Sequence, residues 1–297
     1  MKSAKHGGEF ESQKPTGRTN QKRDGRGIFW MVADIGNPRF AVSEWPHFLF
    51  SGFLSDARPS PHPRFCFSWH MQFTYYGHSC FAVEAGGKTL LFDPFITPNP
   101  LAAAIDIKKV AADFILVSHG HNDHLADLIE IAQRTGATVI APYEVGDWFE
   151  SKKGLKNVQA MNHGGCARTD FGQVKLTAAV HSSSMPDGSY GGNPCGFVIE
   201  SSDGNFYYSG DTALTLEMKL VGERCKLRFA VLPIGDFFTM GIDDALRAAD
   251  LVGVKTIVGV HYDTFPPIKL DHQTAMRAAE GHGKELLLPG IGETINI

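Results

Sequence analysis

The densest group of chemically reactive side chains lies in the segment SHGHNDHL, which contains His119, His121, Asp123 and His124. Imidazole nitrogens and carboxylate oxygens are common protein ligands of Zn²⁺, Mn²⁺ and Fe²⁺. Core packing explains such a group poorly, because each buried polar side chain would need its own partner. The segment therefore predicts a metal site.

Three residues farther along the chain occupy similar positions. His181, Asp211 and His261 each follow a β-rich run. Any one of them alone would be an ordinary turn aspartate or a buried histidine with a partner. Their shared placement at strand ends leads us to predict that they join the first group. The resulting ligands are nitrogen and oxygen without thiolate, which suits Zn, Mn, Fe or Co and leaves their order undecided.

The elements around SHGHNDHL explain how it could be positioned. The apolar run DFILVS before it predicts a buried strand, and LADLIEIAQR after it has helical apolar spacing. If the loop stays extended, His119 and His121 point the same way, while the turn into the helix swings Asp123 and His124 to a neighbouring position. One short loop can thus serve two metal ions.

The remainder of residues 71–297 mixes strands and helices. MQFTYY, FAVEA and KTLLFD predict an antiparallel meander. Further strands are predicted at ATVIA, NVQAM, QVKLTAAV, GFVIES, NFYYS, FAVLPI and TIVGV, and helices at DDALRAADLV and DHQTAMRAAEG. Asp243, Asp244 and Asp271 open these helices, where we interpret them as caps. The segment contains no internal repeat, and we predict one domain.

Residues 1–70 differ in composition from the rest. Their start is basic and Gly-rich, and prolines in RPSPHPR discourage regular structure. We interpret them as a flexible extension or a mis-assigned start. The alternative, a docking or regulatory arm, is supported by Trp30, Trp45 and Trp69.

Composition excludes several classes of protein. A formal net charge of −4 gives no positive field for phosphate backbones, so no nucleic-acid partner is expected. The five cysteines are scattered and form no C-x-x-C pair, which argues against a disulfide scaffold. The polar amino terminus lacks a secretory apolar stretch, and no apolar run is long enough to span a membrane. We predict a cytoplasmic enzyme with a small-molecule substrate.

The ordered series of motifs resembles the metallo-β-lactamase superfamily. HxHxDH, a distant histidine, GDT and a late histidine are its general pattern. GHSCFAVEAGGKTLLFDPF, MNHGG, HSSS, GGNPCGF, PIGDFFTMG and HYDTFPPI resemble its bacterial metal-dependent hydrolase branch of uncharacterised substrate. The resemblance covers nearly all of residues 71–297. It implies an α/β fold, an αββα four-layer sandwich, with metals at one edge between the sheets.

The resemblance also implies that the ligands are divided between two divalent metal ions. Zinc is the expected metal, with manganese or iron as alternatives. His119, His121 and His181 would hold the first ion. Asp123, His124 and His261 would hold the second, and Asp211 would bridge. A metal-bound hydroxide would then cleave an ester, lactone, amide or phosphoester. Asp123 would orient that hydroxide and accept its proton.

Other residues are weaker candidates. His78 and Asp93 could orient metal ligands by hydrogen bonding, or could simply cap turns. The substrate pocket could be lined by residues of two loops: Ser182, Ser183, Ser184, Asp236, Phe238, Thr239 and Met240.

Two other functions stay open at this point. Some members of the superfamily are iron-dependent oxidoreductases that act on thiol compounds, and their HxHxDH motif is similar. A non-catalytic metal-binding module is the second alternative. Metal analysis and a panel of chromogenic substrates would separate these from a hydrolase.

Overall fold

The structure is a computed structural model, and it describes residues 71–297. The predicted extension, residues 1–70, lies outside the described residues, as do Trp30, Trp45 and Trp69. The strands are β1 (Gln72–Gly77), β2 (Cys80–Ala85), β3 (Lys88–Phe92), β4 (Phe114–Leu116), β5 (Thr138–Pro142), β6 (Val158–Met161), β7 (Cys166–Thr169), β8 (Gly172–Ala178), β9 (Cys195–Ser201), β10 (Gly204–Tyr208), β11 (Phe229–Pro233), β12 (Thr256–Val260), β13 (Glu285–Leu287) and β14 (Thr294–Asn296). The helices are α1 (Asn122–Leu125), α2 (Leu128–Thr135), α3 (Tyr143–Lys153), α4 (Met218–Arg224), α5 (Ile242–Val252) and α6 (His272–Gly281).

The strands form two seven-stranded sheets with similar topology. The first has the order β14-β1-β2-β3-β4-β5-β6, antiparallel from β14 to β3 and parallel from β3 to β6. The second has the order β13-β12-β11-β10-β9-β8-β7, parallel from β13 to β10 and antiparallel from β10 to β7. The predicted meander is therefore confirmed as β1 to β3.

Side-chain alternation along the strands builds two apolar cores. Phe114, Leu116 and Ile140 belong to the core between the sheets. Ile115 and Val139, their neighbours in sequence, belong to the core under α1, α2 and α3. Because successive side chains of a strand point to opposite faces, each buried strand serves both layers.

The core between the sheets is rich in aromatic rings. Phe81 and Phe92 stack with ring centroids 4.6 Å apart, and Phe206 and Phe229 stack at 5.0 Å. This core continues to α4, α5 and α6 on the outer face of the second sheet. The order of layers is helices, sheet, sheet, helices, so the predicted αββα sandwich is confirmed.

Of the three aspartates predicted as helix caps, only Asp271 forms a side-chain cap, because α5 has Gly241 at its N-cap position and no side-chain cap there. The Asp271 side chain accepts a hydrogen bond from Thr274 N at the start of α6. Asp243 and Asp244 lie in the first turn of α5, where they oppose the helix dipole. None of the helices within residues 71–297 is long and apolar enough to cross a membrane. The four cysteines of this part of the chain are all free.

The two ends of the described chain pair with each other. Met71 N donates to Ile297 O at 3.1 Å, Ile297 N donates to Met71 O at 2.9 Å, and β1 lies against β14. Met71 itself is fully buried in the core between the sheets. Strands from the two ends of the described chain therefore lie side by side at one edge of the first sheet.

We expect a chain that starts at Met71 to fold and bind metal as the full chain does. Its melting temperature should lie within about 4 °C of the parent value, which corresponds to roughly 1 kcal/mol for a domain of this size. Calorimetry and metal analysis of both proteins test this. A much larger loss would assign residues 1–70 a structural role.

Candidate metal centre

The candidate site lies where loops from both sheets meet. His119, His121, Asp123 and His124 follow β4, and α1 begins one residue after His121. His181, Asp211 and His261 follow β8, β10 and β12. The structure therefore brings all seven predicted metal ligands to one edge of the sandwich.

Backbone contacts fix these loops to one another. Cys195 N of the second sheet donates to Ser118 O at 2.9 Å, and His261 N donates to His78 O at 2.8 Å. Gly120 lies so close to the loop opposite that an added Cβ would approach Met185 Sδ to 2.7 Å. A side chain at position 120 would have to displace Met185 and crowd the Ser184 carbonyl at 3.1 Å, so glycine favours the close approach of the two histidine-bearing loops.

One group of imidazoles consists of His119, His121 and His181, whose ligand atoms lie within 4.8 Å of one another. His119 Nε2 lies 2.9 Å from His121 Nδ1. Ser118 Oγ donates to Asp93 at 2.6 Å, so it must accept from His119 Nδ1 at 2.9 Å. His119 Nε2 is then the unprotonated nitrogen, and its lone pair is available to a cation.

A second group consists of Asp123, His124 and His261, joined by His78. His78 Nε2 lies 3.2 Å from Asp123 Oδ2, and its Nδ1 lies 3.0 Å from Thr264 Oγ1. Because a carboxylate can only accept, His78 donates from Nε2 to Asp123. The sequence suggested a hydrogen-bonding role for His78, and this contact is consistent with that role.

Asp211 lies between the two groups. Its Oδ2 is 4.0 Å from His119 Nε2 and 3.7 Å from His181 Nε2 in the first group. The same oxygen is 3.2 Å from His124 Nε2 and 2.9 Å from His261 Nε2 in the second. One buried carboxylate oxygen thus faces four imidazole nitrogens.

Burial and charge set the protonation of the site. Burial, helped by His124, lowers the pKa of His119 well below its ordinary value. Burial likewise lowers the pKa of His121 and His181, and it lowers the pKa of His78 to about 4. Neutral imidazole is the form that binds metal, so the first group is ready to act as ligands.

In the second group and at Asp211, the charges of neighbouring residues oppose the effect of burial on the pKa values. Burial alone would lower the pKa of His124, but Asp211, Asp93 and Asp123 outweigh it and raise this pKa well above the ordinary value. Burial would raise the pKa of Asp211, but His124 and His261 hold it well below its usual range. The pKa of Asp123 is lowered by His124 and His78 against the effect of burial. Both carboxylates are therefore ionised.

Asp93 connects the two groups from beneath. It accepts hydrogen bonds from Ser118 N at 2.7 Å, Ser118 Oγ at 2.6 Å, Tyr208 OH at 2.6 Å and His124 Nδ1 at 2.8 Å. Through Ser118 it orients His119, and directly it orients His124. The carboxylate therefore fixes the ring orientation of one histidine from each group.

We expect Asp93→Asn to weaken metal binding by about 10-fold to 100-fold. Asparagine tolerates the left-handed backbone of this position, where φ is 42°. However, Asp93 accepts at both oxygens, from three donors at Oδ2 and from Ser118 N at Oδ1, so in either orientation of an amide at least one donor would face its nitrogen. Metal titration of the two proteins measures the effect, with the exposed Asp147→Asn of α3 as control. Equal affinities would show that Asp93 does not orient the ligands.

The backbone at the site is unusual. His78, Asp93 and His261 have positive φ values of 55°, 42° and 58°. Residues other than glycine seldom adopt this conformation, and each instance costs of order 1–3 kcal/mol. The strain coincides with the residues that place or orient the candidate ligands.

The donor set fits metal ions. Asp211 Oδ1 is buried and has no hydrogen-bond partner among the described residues, and buried His124 Nε2 forms no regular hydrogen bond beyond its 3.2 Å ion-pair contact with Asp211 Oδ2. Such groups are costly unless something else satisfies them, and a cation would do so. Nitrogen and oxygen donors without thiolate suit Zn, Mn or Fe. The two groups contain the residues of the division that the resemblance implied, with His78 added to one, while His119, His124 and Asp211 form a further group across them. The assignment of ligands to two ions stays a prediction.

A cavity of about 350 Å³ opens onto the site. Its wall is formed by His121, Asp123, His181, Ser182, Asp211, Phe238, His261, Phe265 and Pro267. Of the weaker candidates, Ser182 and Phe238 line it. Asp236, Thr239 and Met240 do not line it, although they belong to the loop that carries Phe238. Ser183 donates to Gly191 O and accepts from Gly120 N at 3.1 Å, so it joins its own loop to the one between His119 and His121, and Ser184 forms a bridge to Tyr190.

The sequence analysis missed several residues of the site. Phe265 and Pro267 of the cavity wall follow the late histidine, in the HYDTFPPI motif. Ser118 and Tyr208 of the Asp93 network immediately precede predicted ligand loops. Position next to a ligand was therefore the only sequence feature that could have identified these residues.

Comparison with known proteins gives the family. Residues 88–262 match the family described as Beta-lactamase superfamily domain. A UPF0173 metal-dependent hydrolase of Flavobacterium johnsoniae is 49% identical over 227 residues, covering 76% of this chain and 100% of the relative. Another from Methylacidiphilum infernorum is 50% identical over 207 residues, covering 70% and 91%. The solved structure of Igni18, a metallo hydrolase from Ignicoccus hospitalis, is 34% identical with a TM-score of 0.68, covering 77% of this chain and 98% of that one. The chain belongs to the beta-lactamase superfamily and, within it, to the UPF0173 metal-dependent hydrolases.

Proposed function

We propose that the protein holds two divalent metal ions and hydrolyses an ester, lactone, amide or phosphoester bond of a small molecule. The observation that carries the proposal is the position of Asp211 Oδ2, within 4.0 Å of imidazole nitrogens from both groups. A carboxylate in that position can be shared by two ions. The same geometry supports His119, His121 and His181 as ligands of one ion, and Asp123, His124 and His261 as ligands of the other.

Metal ions bound there would activate water and polarise the bond to be cleaved. The protein supplies the remaining steps. Asp123 Oδ2 accepts from His78, while no hydrogen bond from residues 71–297 engages Oδ1. That oxygen can therefore accept a proton from the attacking water. Asp93 keeps Nε2 of His119 available through Ser118, and by accepting from His124 Nδ1 it directs His124 Nε2 toward Asp211, where a cation would replace the Nε2 proton.

The test combines metal analysis with a substrate panel. The purified protein is stripped with a chelator, reloaded separately with Zn²⁺, Mn²⁺ or Fe²⁺, and assayed on chromogenic esters, lactones and phosphodiesters. We expect hydrolysis that disappears on stripping and returns on reloading. Oxygen consumption with thiol substrates, found only with iron, would favour the oxidoreductase. Full metal loading without either activity would favour a non-catalytic module. The cytoplasmic location stays a prediction from the sequence.

A further inference from the structure

The lining of the cavity has two parts with different chemistry. The histidines and aspartates form the first part, which we call the floor. The second part, called the wall from here on, consists of Ser182, Phe238, Phe265 and Pro267. Within residues 71–297, no lysine or arginine lines this cavity. We propose that the substrate carries an uncharged, apolar group, aromatic or branched, beside the bond that is cleaved. This inference rests on the proposed hydrolase function.

The aromatic side of the wall is exposed to an unusual degree. Phe237 is 72% exposed and Phe238 is 48% exposed, and their rings pack edge to face at 4.8 Å. Phe238 lines the cavity and Phe237 packs beside it, and an exposed aromatic ring in a cavity wall is typical of a binding surface. Contact with an apolar group would remove Phe238 from water and stabilise the complex.

The loop that carries these rings is held in a costly conformation. Asp236 and Phe237 have positive φ values of 60° and 53°, although neither is glycine. Asp236 N donates to Met240 O at 3.0 Å, and Met240 N donates to Thr212 O at 3.1 Å. Met240 is buried, and Thr212 directly follows Asp211. The strained loop thus presents Phe238 at a position fixed relative to the metal centre.

The opposite side of the wall is also anchored to the site. The Phe265 ring packs edge to face against His78, with centroids 5.4 Å apart. His78 in turn donates to Asp123. Pro266 and Pro267 follow in a short 3₁₀ turn that fixes the backbone beyond the ring. Phe265 therefore contacts the group that holds the proposed proton acceptor.

The absence of cationic side chains from the described cavity lining favours an apolar substrate over one that carries a remote phosphate or carboxylate. A substrate with a phosphate or carboxylate away from the cleaved bond needs a cationic partner, for which arginine and lysine are the usual choices. The described wall offers aromatic rings and a proline at that place. A cavity of about 350 Å³ is at the small end for ligand sites, which further favours a compact apolar group.

The test uses two metal-binding probes with the same hydroxamate and different tails. Calorimetry measures binding of 3-phenylpropanehydroxamic acid and of its carboxylate-bearing counterpart, 4-(hydroxyamino)-4-oxobutanoic acid, to the full, metal-loaded protein. We expect the phenyl probe to bind about tenfold tighter or more. Phe238→Ala should reduce this preference to within about threefold. Met276→Ala, a 52% exposed side chain on α6, is the matched control and should retain the preference.

Kinetics with p-nitrophenyl butyrate and mono-p-nitrophenyl succinate provide the second arm, because the leaving group is the same. We expect kcat/KM to favour the butyrate by about tenfold or more. Equal kcat/KM values, or tighter binding of the carboxylate probe, would overturn the apolar substrate class while leaving the hydrolase intact. A phenyl preference in binding that Phe238→Ala abolishes, without hydrolysis of either ester, would support the apolar site and restrict the hydrolase to lactone, amide or phosphoester bonds.

Discussion

Asp211→Asn is expected to raise the dissociation constants of both metal ions by more than about 100-fold, and hydrolysis should fall with metal content. Removal of a group that only orients a ligand already costs about 10-fold to 100-fold. Asp211 Oδ2 faces His119 and His181 of one group and His124 and His261 of the other. Loss of its charge should therefore weaken both positions together. Metal titration followed by mass spectrometry measures the effect.

The control for this variant is Asp147→Asn, which makes the same chemical change on the exposed face of α3. It should bind metal as the parent does. Loss of only one ion in Asp211→Asn would show that Asp211 belongs to one group. Unchanged binding of both ions would remove Asp211 from the ligands altogether.

Asp123→Asn is expected to reduce turnover by about 100-fold to 10,000-fold, the usual contribution of a general base. Asparagine keeps the shape and can still accept from His78, so His78 and its contact with Phe265 should stay in place. What disappears is the charge and the oxygen that accepts the proton. The side chain is 27% exposed at the cavity, so folding should change little.

Because Asp123 is also a proposed ligand, its kinetics must be compared at equal metal saturation. The assay therefore uses a substrate that the parent cleaves, and it includes metal analysis of each sample. Asp147→Asn again serves as control. A fully loaded Asp123→Asn enzyme with parental turnover would show that the proton leaves by another route.

Local sequence patterns were enough to predict most of the strands and several helices, because apolar runs of strand or helix length are features of adjacent residues. The αββα sandwich and the family are also confirmed, and these were implied by the resemblance of the ordered motifs to a known superfamily. Of the helix predicted over LADLIEIAQR, the structure forms α2 from Leu128 onward, whereas the short α1 lies almost wholly within SHGHNDHL, and Ala126 and Asp127 separate the two. Asp127 Oδ2 accepts from Ile96 N and Thr97 N, an interaction with distant residues that no local pattern contains.

Elements with weak or conflicting patterns were missed. The helix α3 has apolar residues at helical spacing in Val145, Trp148 and Phe149, but Gly146 interrupts the sequence pattern. The structure explains the glycine, because an added Cβ would approach Ala160 Cβ to 2.8 Å. The short strands β7, β13 and β14 were also not predicted, since three or four residues carry little periodicity.

The candidate site, like the fold, could be predicted only in part from the sequence. The histidines and aspartates proposed as ligands could be chosen from residue type and spacing. The groups that orient them could not, because Tyr208 reaches Asp93 across 115 positions and His78 reaches Asp123 across 45. The aromatic wall likewise depends on loops that meet only in the folded protein.

The number of metal ions bound per chain tests the central claim most directly. The metal-free parent and His181→Ala are each loaded with Zn²⁺ or Mn²⁺, freed of excess by dialysis, and measured by mass spectrometry against protein concentration. We predict two ions per parent chain and fewer in His181→Ala, because that change removes one of three imidazoles from the first group. A parent that binds fewer than two ions per chain, or equal metal content in the two proteins, would contradict the account.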